Sequence, residues 1–426
     1  MDMQVVAVPL FNNAMSSEAY IFRYRRGNDL FSRSQTTGMF DGANRSASLE
    51  MLNKIGLDAF TLGKPIFVPI NYIMLLGDLA GQCKQPANKV VFLFEDAPQP
   101  TEPYLSKMTA LRELGFEFAV SNLTNPKQYV AVLQRCKYFF LSQLPERIEA
   151  SKQILSEIKR DHPGIKVIAT KVHGAATLEM VKSLGYDLFE AGFLRIPASA
   201  TPQPISPLKT NSIRLMNTVQ DENFDFGEIT QVIRTDTALT ISLLKMVNAP
   251  KLGMRNKIKD IQHAVTMMGQ KEVRKWVTTS IAQSLGSDRP TEITRISMMR
   301  AKFAENLAPI YDMAHMSQGL FLMGLFSVLD VILETSMEEA LKLLRVSDVI
   351  YQALVAGSGV YYPVLNMVVD YEAANWQAVS RQIIMYDISE QQLSDAYVDA
   401  LTWYSELINF ELDDISEESD VHTQQS

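Results

Sequence analysis

Residues 116–142 read FEFAVSNLTNPKQYVAVLQRCKYFFLS and contain the pattern that decides the fold of the first half. The runs Phe116–Asn122 and Tyr138–Ser142 are short and mostly apolar, as expected of strands that are buried on both faces. Between them, Asn125–Arg135 has the pattern of a helix. This order predicts two parallel strands joined by a crossover helix.

The same alternation continues on both sides of this unit, over roughly the first 200 residues. The predicted strands are Val5–Phe11, Ala19–Arg25, Pro65–Ile70, Lys89–Glu95, Phe116–Asn122, Tyr138–Ser142, Lys166–Val172 and Leu188–Phe193. Eight strands with crossover helices predict a (β/α) barrel of the TIM type. A doubly wound open sheet is the alternative, because periodicity does not reveal whether a sheet closes.

A proline-rich segment separates two regions that differ in their pattern of apolar residues. Pro197–Pro207 contains four prolines, which can enter neither a helix interior nor a central strand. After it, amphipathic helical patterns such as Thr237–Asn248 and Lys271–Leu285 predict an all-α region. We therefore predict a barrel domain over 1–197, a linker over 198–207, a helical domain over 208–410 and a disordered acidic tail over 411–426.

Composition excludes several classes of protein. The 426 residues carry a formal charge of −8, of which the last 16 residues supply −6, so the body is nearly neutral. Two cysteines and five histidines exclude a disulfide framework and a cysteine-based zinc site. Neither a signal peptide nor an apolar run long enough to span a membrane is present in the sequence. A cytoplasmic protein without a membrane partner is expected.

Short motifs in both halves resemble a known architecture. In the first half these are Pro9–Asn12 (PLFN) and Tyr20–Arg25 (YIFRYR), and in the second Ile261–Val265 (IQHAV) and Gly324–Asp330 (GLFSVLD). In this order the motifs resemble those of bacterial two-domain signalling proteins with an EAL domain followed by an HDOD domain. The resemblance implies a barrel that hydrolyses cyclic di-GMP with divalent metals, followed by a helical relative of the HD phosphohydrolases that usually lacks metal ligands.

The positions that match the family's metal ligands and catalytic residues lack most of the expected side chains. Carried over in order, these positions are Ile21, Pro69, Phe92, Ser121, Asn122, Phe140, Thr170, His173 and Glu190. Near Phe92, where Glu95 and Asp96 lie close, the alignment could shift by one residue, but one shift does not restore the set. Isoleucine, proline and phenylalanine offer no ligand oxygen from their side chains, so we predict no metal-dependent phosphodiesterase activity. Arg25 matches a position that contacts nucleotide phosphate in the family, although a structural role at the barrel rim is favoured.

The helical half gives a similar result. The metal-binding His-Asp dipeptide of the HD relatives falls at Ser327–Val328, and no His-Asp pair occurs in the sequence. His263 and His315 lack co-ligands at metal spacing and are expected to play no metal-binding role. No metal and no cofactor are therefore expected in either domain.

A locally basic stretch offers a different candidate surface. Residues 245–275 carry a formal charge of +6. The residues proposed as a partner surface are Lys251, Arg255, Lys257, Lys259, Lys271 and Arg274. A solvated helical face is the simpler interpretation, and no aromatic platform or recognition helix accompanies the charge, so nucleic acid is not expected.

Three functional hypotheses follow. The first is a non-catalytic adaptor that uses both domains to bind partner proteins in a signalling pathway, since an enzyme scaffold without its ligands still offers surfaces. The second is a receptor that binds cyclic di-GMP without cutting it. The third is an active cyclic di-GMP phosphodiesterase with a relocated site.

Overall fold

The computed structural model describes most of the chain. The described ranges are 3–26, 47–61, 63–121, 123–172, 174–191, 207–221, 224–234, 237–247, 260–285, 291–333, 335–344 and 346–423. The predicted linker at 198–207 therefore lies almost wholly outside them.

Eight strands within these ranges form a closed barrel in sequence order. They are β1 (Met3–Phe11), β2 (Ser17–Arg26), β3 (Ile66–Ile70), β4 (Val90–Phe94), β5 (Glu117–Ser121), β6 (Tyr138–Ser142), β7 (Lys166–Val172) and β8 (Leu188–Ala191). This confirms the predicted barrel and rules out the open sheet. All eight predicted strands are present, with ends that differ by two residues at most.

The first strand runs against the others. A tight turn after Phe11 joins β1 to β2 as an antiparallel hairpin, and the barrel closes through a second antiparallel pair in which Leu10 lies opposite Glu190. From β2 to β8 every neighbouring pair is parallel. The barrel therefore departs from the all-parallel TIM arrangement at one strand.

Apolar side chains from every strand fill the barrel interior. The interior cluster consists of Leu10, Ala19, Ile21, Phe67, Val91, Leu93, Ala119, Phe140, Ile168 and Leu188. Because side chains alternate across a strand, the residue two positions further along points to the same side. At the carboxyl ends of the parallel strands this rule brings Arg23, Pro69, Glu95, Ser121, Thr170 and Glu190 to one end of the barrel, which we call the barrel mouth.

Helices connect the strands of the barrel. They are α1 (Ala47–Ile55), α2 (Leu57–Thr61), α3 (Tyr72–Leu76), α4 (Leu79–Gln82), α5 (Glu102–Glu113), α6 (Val130–Leu133), α7 (Ile148–Asp161) and α8 (Gly174–Ser183). The predicted helix Asn125–Arg135 is shorter in the structure, because a 3-10 turn over Pro126–Tyr129 precedes α6.

The rest of the described chain is helical, as predicted. Its helices are α9 (Pro207–Gln220), α10 (Phe226–Arg234), α11 (Thr237–Val247), α12 (Ile261–Leu285), α13 (Thr291–Leu307), α14 (Ser317–Phe326), α15 (Leu329–Leu333), α16 (Met337–Leu343), α17 (Asp348–Tyr351), α18 (Tyr362–Glu372), α19 (Trp376–Met385) and α20 (Glu390–Thr423), with a π-helical turn over Gln352–Ala356. A break at Gly269, whose φ is 75°, divides α12 shortly before the start of the predicted helix Lys271–Leu285. A left-handed φ of this kind is easy only for glycine.

The compact units of the structure do not follow the chain order. The barrel unit comprises residues 1–196, 302–317 and 366–426, and the helical unit comprises 197–301 and 318–365. The C-terminal helices belong to the barrel unit because they contact its strands, as where the backbone N–H of Val5 donates to Tyr371 Oη at 3.2 Å. The predicted helical domain over 208–410 thus supplies segments to both compact units.

The last described helix extends into the acidic end of the chain. Residues 411–423 continue α20, and the disorder predicted for 411–426 stays a prediction. From Glu390 to Thr423 the sequence has neither proline nor glycine, so no residue in this stretch interrupts the helix.

Candidate functional site

The barrel mouth is organised around Arg23. Two residues beyond Ile21 on the same side of β2, its guanidinium lies 3.5 Å from the carboxylate of Glu95 and 3.6 Å from that of Glu190. Arg23 therefore joins the carboxyl ends of β2, β4 and β8 through two ion pairs. Its side chain is 25% exposed and those of the two glutamates are 15% and 12% exposed, so solvent screens these pairs only partly.

Glu95 lies in an unusual environment for a carboxylate. Burial raises its pKa to about 7, while the attraction of Arg23 lowers it and the nearby charge of Asp96 raises it again. Ser121 donates a hydrogen bond to the backbone carbonyl of Glu95 at 3.3 Å, which links the ends of β4 and β5. Near neutral pH the Glu95 carboxyl is therefore a mixture of the neutral and charged forms.

Glu190 is held by backbone as well as by Arg23. Its Oε2 accepts a hydrogen bond from the backbone N–H of Lys171 at 3.1 Å. The register between β7 and β8 shifts between Ala169 and Val172, and Lys171 has a φ of 57°, in the left-handed region. This irregularity turns the Lys171 N–H towards the carboxylate, at a backbone cost of about 1 kcal/mol.

A cavity of about 600 Å³ opens beside Glu95. The side chains that give it chemical character are Tyr72, Glu95, Asp96, Tyr104, Ser121 and Tyr129. The rings of Tyr72 and Tyr104, which extend from α3 and α5, meet edge to face with centroids 6.2 Å apart. The cavity thus combines three tyrosines with two carboxylates, and none of the lining residues that the structure describes is a lysine or arginine.

The structure brings most of the predicted barrel positions together, with one exception. Ile21 and Phe140 belong to the interior cluster, and Phe140 packs against Phe67 with ring centroids 5.1 Å apart. Pro69, Ser121, Thr170 and Glu190 follow the same alternation to the mouth. Asn122 and His173 lie outside the described residues.

Phe92 does not belong to the site. It lies on the opposite face of β4 from Val91 and Leu93 and stacks on Phe116 with centroids 4.9 Å apart. A ligand at this position could not reach the barrel interior. The inward-facing residue nearest the mouth in this region is Glu95, which the alternation from Leu93 indicates.

Arg25 lies against the C-terminal helices of its own unit. It is 7% exposed, with Nη2 3.7 Å from the carboxylate of Glu390 and Nη1 donating to the backbone carbonyl of Trp376 at 3.3 Å. These contacts give Arg25 a structural role at the barrel rim, which was the favoured interpretation of the sequence. A role in nucleotide binding stays a prediction.

In the helical unit, Ser327 and Val328 follow α14 directly. Ser327 accepts a hydrogen bond from Arg300 at 3.2 Å and donates one to the carbonyl of Gly324, while Val328 is buried. Within the residues that the structure describes, no three histidine, cysteine, aspartate or glutamate side chains lie close enough to hold a metal ion.

The proposed basic surface is described only in part. Lys251, Arg255, Lys257 and Lys259 lie outside the described residues, and Lys271 is exposed on α12. Arg274 donates to the backbone carbonyl of Asp221 at 2.7 Å and lies 5.8 Å from the centre of the Phe224 ring. Arg274 therefore takes part in packing within its own unit.

Sequence reasoning missed Arg23 and the three tyrosines. Arg23 could have been found, because it follows Ile21 by two residues on the same strand. The tyrosines come from α3, α5 and the 3-10 turn before α6, and no local pattern indicates that these segments meet at one cavity.

Comparison with known proteins first gives the class of the helical region. Residues 205–349 match the HDOD domain family, which confirms the HDOD domain predicted in the second half. Among solved structures, the EAL domain of FimX is 15% identical and covers 48% of this chain and 94% of its own, with a TM-score of 0.34. An EAL domain protein from Listeria monocytogenes is 13% identical and covers 44% of this chain and 85% of its own, also with a TM-score of 0.34.

Two curated proteins are similar over most of the chain. The uncharacterised protein YuxH of Bacillus subtilis is 24% identical over 412 residues, which are 95% of this chain and 98% of YuxH. The cyclic di-GMP phosphodiesterase CdgJ of Vibrio cholerae is 23% identical over 327 residues, which are 76% of this chain and 74% of CdgJ. Among the described helices, none has the length and apolar character required to cross a membrane.

Proposed function

We propose that this chain is a non-catalytic signalling adaptor, in which an EAL-like barrel and an HDOD domain bind partner proteins. The observation that carries the proposal is the position of Arg23 between Glu95 and Glu190. The guanidinium of Arg23 pairs with the two inward-facing carboxylates of the mouth. A catalytic metal ion would need these same carboxylates as ligands. The adaptor is expected to act in the cytoplasm, which fractionation of cells that express the tagged chain would test.

The remaining mouth and interior residues do not fit the divalent metals that the EAL resemblance implies. Magnesium and calcium require about six oxygen ligands, several of them carboxylates. Ile21, Pro69 and Phe140 have no side-chain oxygen, and the carboxylates of Glu95 and Glu190 are paired with Arg23. The described residues therefore support no step of metal-assisted phosphodiester hydrolysis.

A receptor that binds cyclic di-GMP without cutting it is the second candidate. The similarity to CdgJ, which is named a cyclic di-GMP phosphodiesterase, favours it over an unrelated ligand. The mouth cavity argues against it, because cyclic di-GMP carries two phosphate charges and the described lining residues include two carboxylates and no basic side chain.

One pair of measurements separates the candidates. The purified chain is titrated with cyclic di-GMP by calorimetry, and the same mixture with Mg²⁺ or Mn²⁺ is analysed by chromatography for the linear dinucleotide. The adaptor proposal predicts neither micromolar binding nor product. Binding without product would establish the receptor instead, and product that disappears when the metal is chelated would establish the phosphodiesterase.

A further inference from the structure

We propose that the cavity beside Glu95 binds the guanidinium group of an arginine side chain that a partner protein presents. This inference rests on the proposed adaptor function, for which it supplies a site and the chemistry of the partner. The site consists of Tyr72, Tyr104 and Tyr129 together with Glu95 and Asp96.

The three tyrosines provide the surface on which such a cation would rest. A guanidinium is planar and weakly hydrated, and it stacks on aromatic faces more readily than an ammonium group does. Tyr72 and Tyr104 both line the cavity and are set at 83° to each other, so they present two differently oriented surfaces to a bound group. Tyr129 adds a third ring from a separate turn.

The two carboxylates provide the charge. Asp96 is exposed, and among the described residues it makes no ion pair, whereas Glu95 pairs with Arg23 on the barrel side. A second cation arriving from the cavity side would lie near both carboxylates, where Asp96 and Glu95 repel each other in its absence. Among the described residues that line the cavity, none is a lysine or arginine, and Arg23 approaches Glu95 from the barrel side.

The surroundings favour a protein over a small free amine. Tyr72, Ile73 and Leu76 on α3 are 46%, 42% and 50% exposed. Exposed apolar side chains beside an aromatic pocket are typical of protein interfaces, where an anchoring arginine is often surrounded by apolar contacts. A volume of about 600 Å³ is sufficient for an arginine side chain and part of its backbone.

The test uses N-acetyl-arginine amide as the probe and N-acetyl-citrulline amide, its uncharged isostere, as the matched control ligand. Binding to the full chain is followed by saturation-transfer NMR at low ionic strength. We expect the arginine probe to bind in the millimolar range and the citrulline probe to bind at least about tenfold more weakly, since only the former is a cation.

Variants of the protein localise the binding. Asp96→Asn, at an exposed position, should weaken binding of the arginine probe at least about threefold. Tyr104→Leu should weaken this binding more than Asp96→Asn does, because it removes one aromatic face while keeping an apolar side chain. Asp399→Asn, at an exposed carboxylate on α20, is the matched control and should leave binding unchanged.

Three results would overturn the proposal: equal binding of the two probes, no effect of Asp96→Asn, or displacement of the arginine probe by cyclic di-GMP. If the chain neither binds nor cuts cyclic di-GMP and also does not bind the arginine probe, this site is rejected while the adaptor function is retained. Formation of the linear dinucleotide would reject the adaptor function itself.

Discussion

At the scale of single residues, Arg23 holds together two carboxylates from strands that are not neighbours. Glu95 follows β4 and Glu190 lies on β8, and both are mostly buried. Without the guanidinium, each carboxylate would keep its desolvation penalty and lose the charge that compensates it. The stability of the barrel mouth should therefore depend on this one side chain.

Replacing Arg23 by glutamine tests this dependence. We expect Arg23→Gln to lower the free energy of unfolding by about 2 kcal/mol at pH 8, because two partly buried carboxylates lose their counter-ion. Urea denaturation followed by circular dichroism measures the change. Arg160→Gln, at an exposed arginine paired with Asp161, is the matched control and should leave the midpoint unchanged. An equal loss in both variants would contradict the assignment.

Glu95 should make stability depend on pH in a direction opposite to that of an ordinary paired carboxylate. Its pKa is raised in the folded state to about 7 from an ordinary value of 4.5, so the folded state binds the proton more tightly than the unfolded state. The stability that the protonated Glu95 carboxyl contributes is fully present below about pH 4.5 and is lost as the pH rises through 7. The complete loss corresponds to about 3 kcal/mol.

The variant Glu95→Gln removes this titration. We expect wild type to lose stability relative to Glu95→Gln between about pH 4.5 and pH 7. Well below and well above that window, the stability of the two proteins should change with pH in the same way. Denaturant midpoints at half-unit pH intervals measure the difference. Glu146→Gln, at an exposed glutamate of the same unit, serves as the control, and a pH-independent gap between wild type and Glu95→Gln would refute the assignment.

At the scale of elements, α14 packs against the backbone of α13 through Gly324. A methyl group at this position would overlap the carbonyl of Arg300 and come within 2.6 Å of the backbone nitrogen of Ala301. Since backbone atoms cannot move aside, Gly324→Ala should destabilise the helical unit by about 3 kcal/mol. Thermal unfolding of this variant and of Gly164→Ala, where a methyl group meets no atom within 4 Å, would show whether the effect is specific.

The hydrogen bond between Tyr371 on α18 and Val5 on β1 ties a late helix to the first strand. Tyr371 is fully buried, and burial raises the pKa of its hydroxyl well above the ordinary value, so the group stays neutral. Tyr371→Phe would leave the Val5 N–H without its acceptor, which should lower the free energy of unfolding by about 1 to 2 kcal/mol. Hydrogen exchange at the Val5 amide should also become faster. The control variant Tyr386→Phe, at a tyrosine that is 41% exposed, should change neither the free energy of unfolding nor the exchange rate.

The elements were predictable to the extent that each depends on local pattern. Strands such as β6 and β7 are apolar runs bounded by turns, and both have the predicted bounds. The antiparallel direction of β1 was not predicted, because a hairpin and a crossover leave the strand pattern itself unchanged. In β4 the alignment selected Phe92, although the alternation places Glu95 and not Phe92 on the inner side.

The site was less predictable than the strands that carry it. Its charges lie on strands, where counting by two from Ile21 or Leu93 locates Arg23 and Glu95. Its tyrosines lie on the segments that follow β3, β4 and β5, and they meet because these three strands are parallel neighbours in the sheet. Which side chains of these segments line one cavity depends on how the segments pack, and the pattern of a single segment does not show this.

At the scale of the whole molecule, the barrel unit depends on residues that follow the HDOD match. Residues 366–426 contribute Tyr371, Trp376 and Glu390, which contact β1 and β2. A chain that ends at residue 365 would therefore expose the Arg25 side chain and the edge of the first hairpin. The barrel should fold poorly without this segment.

Truncation tests this interdependence. We expect residues 1–365 to aggregate or to lose cooperative unfolding, whereas residues 1–423, which keep all of α20, should unfold as the full chain does. Size-exclusion chromatography and circular dichroism provide the measurements. Soluble residues 1–365 with an unchanged barrel transition would show that the C-terminal helices are dispensable to the barrel.

The reversed first strand has a consequence for fusion proteins. Met3 pairs with Arg26 at the carboxyl end of β2, so the chain enters the barrel at the same end at which the cavity lies. In an all-parallel barrel, the entering chain would arrive at the opposite end. A reporter or sensor module fused ahead of Met3 would thus be tethered at the end of the barrel that carries the cavity, where its linker length sets its local concentration over the cavity.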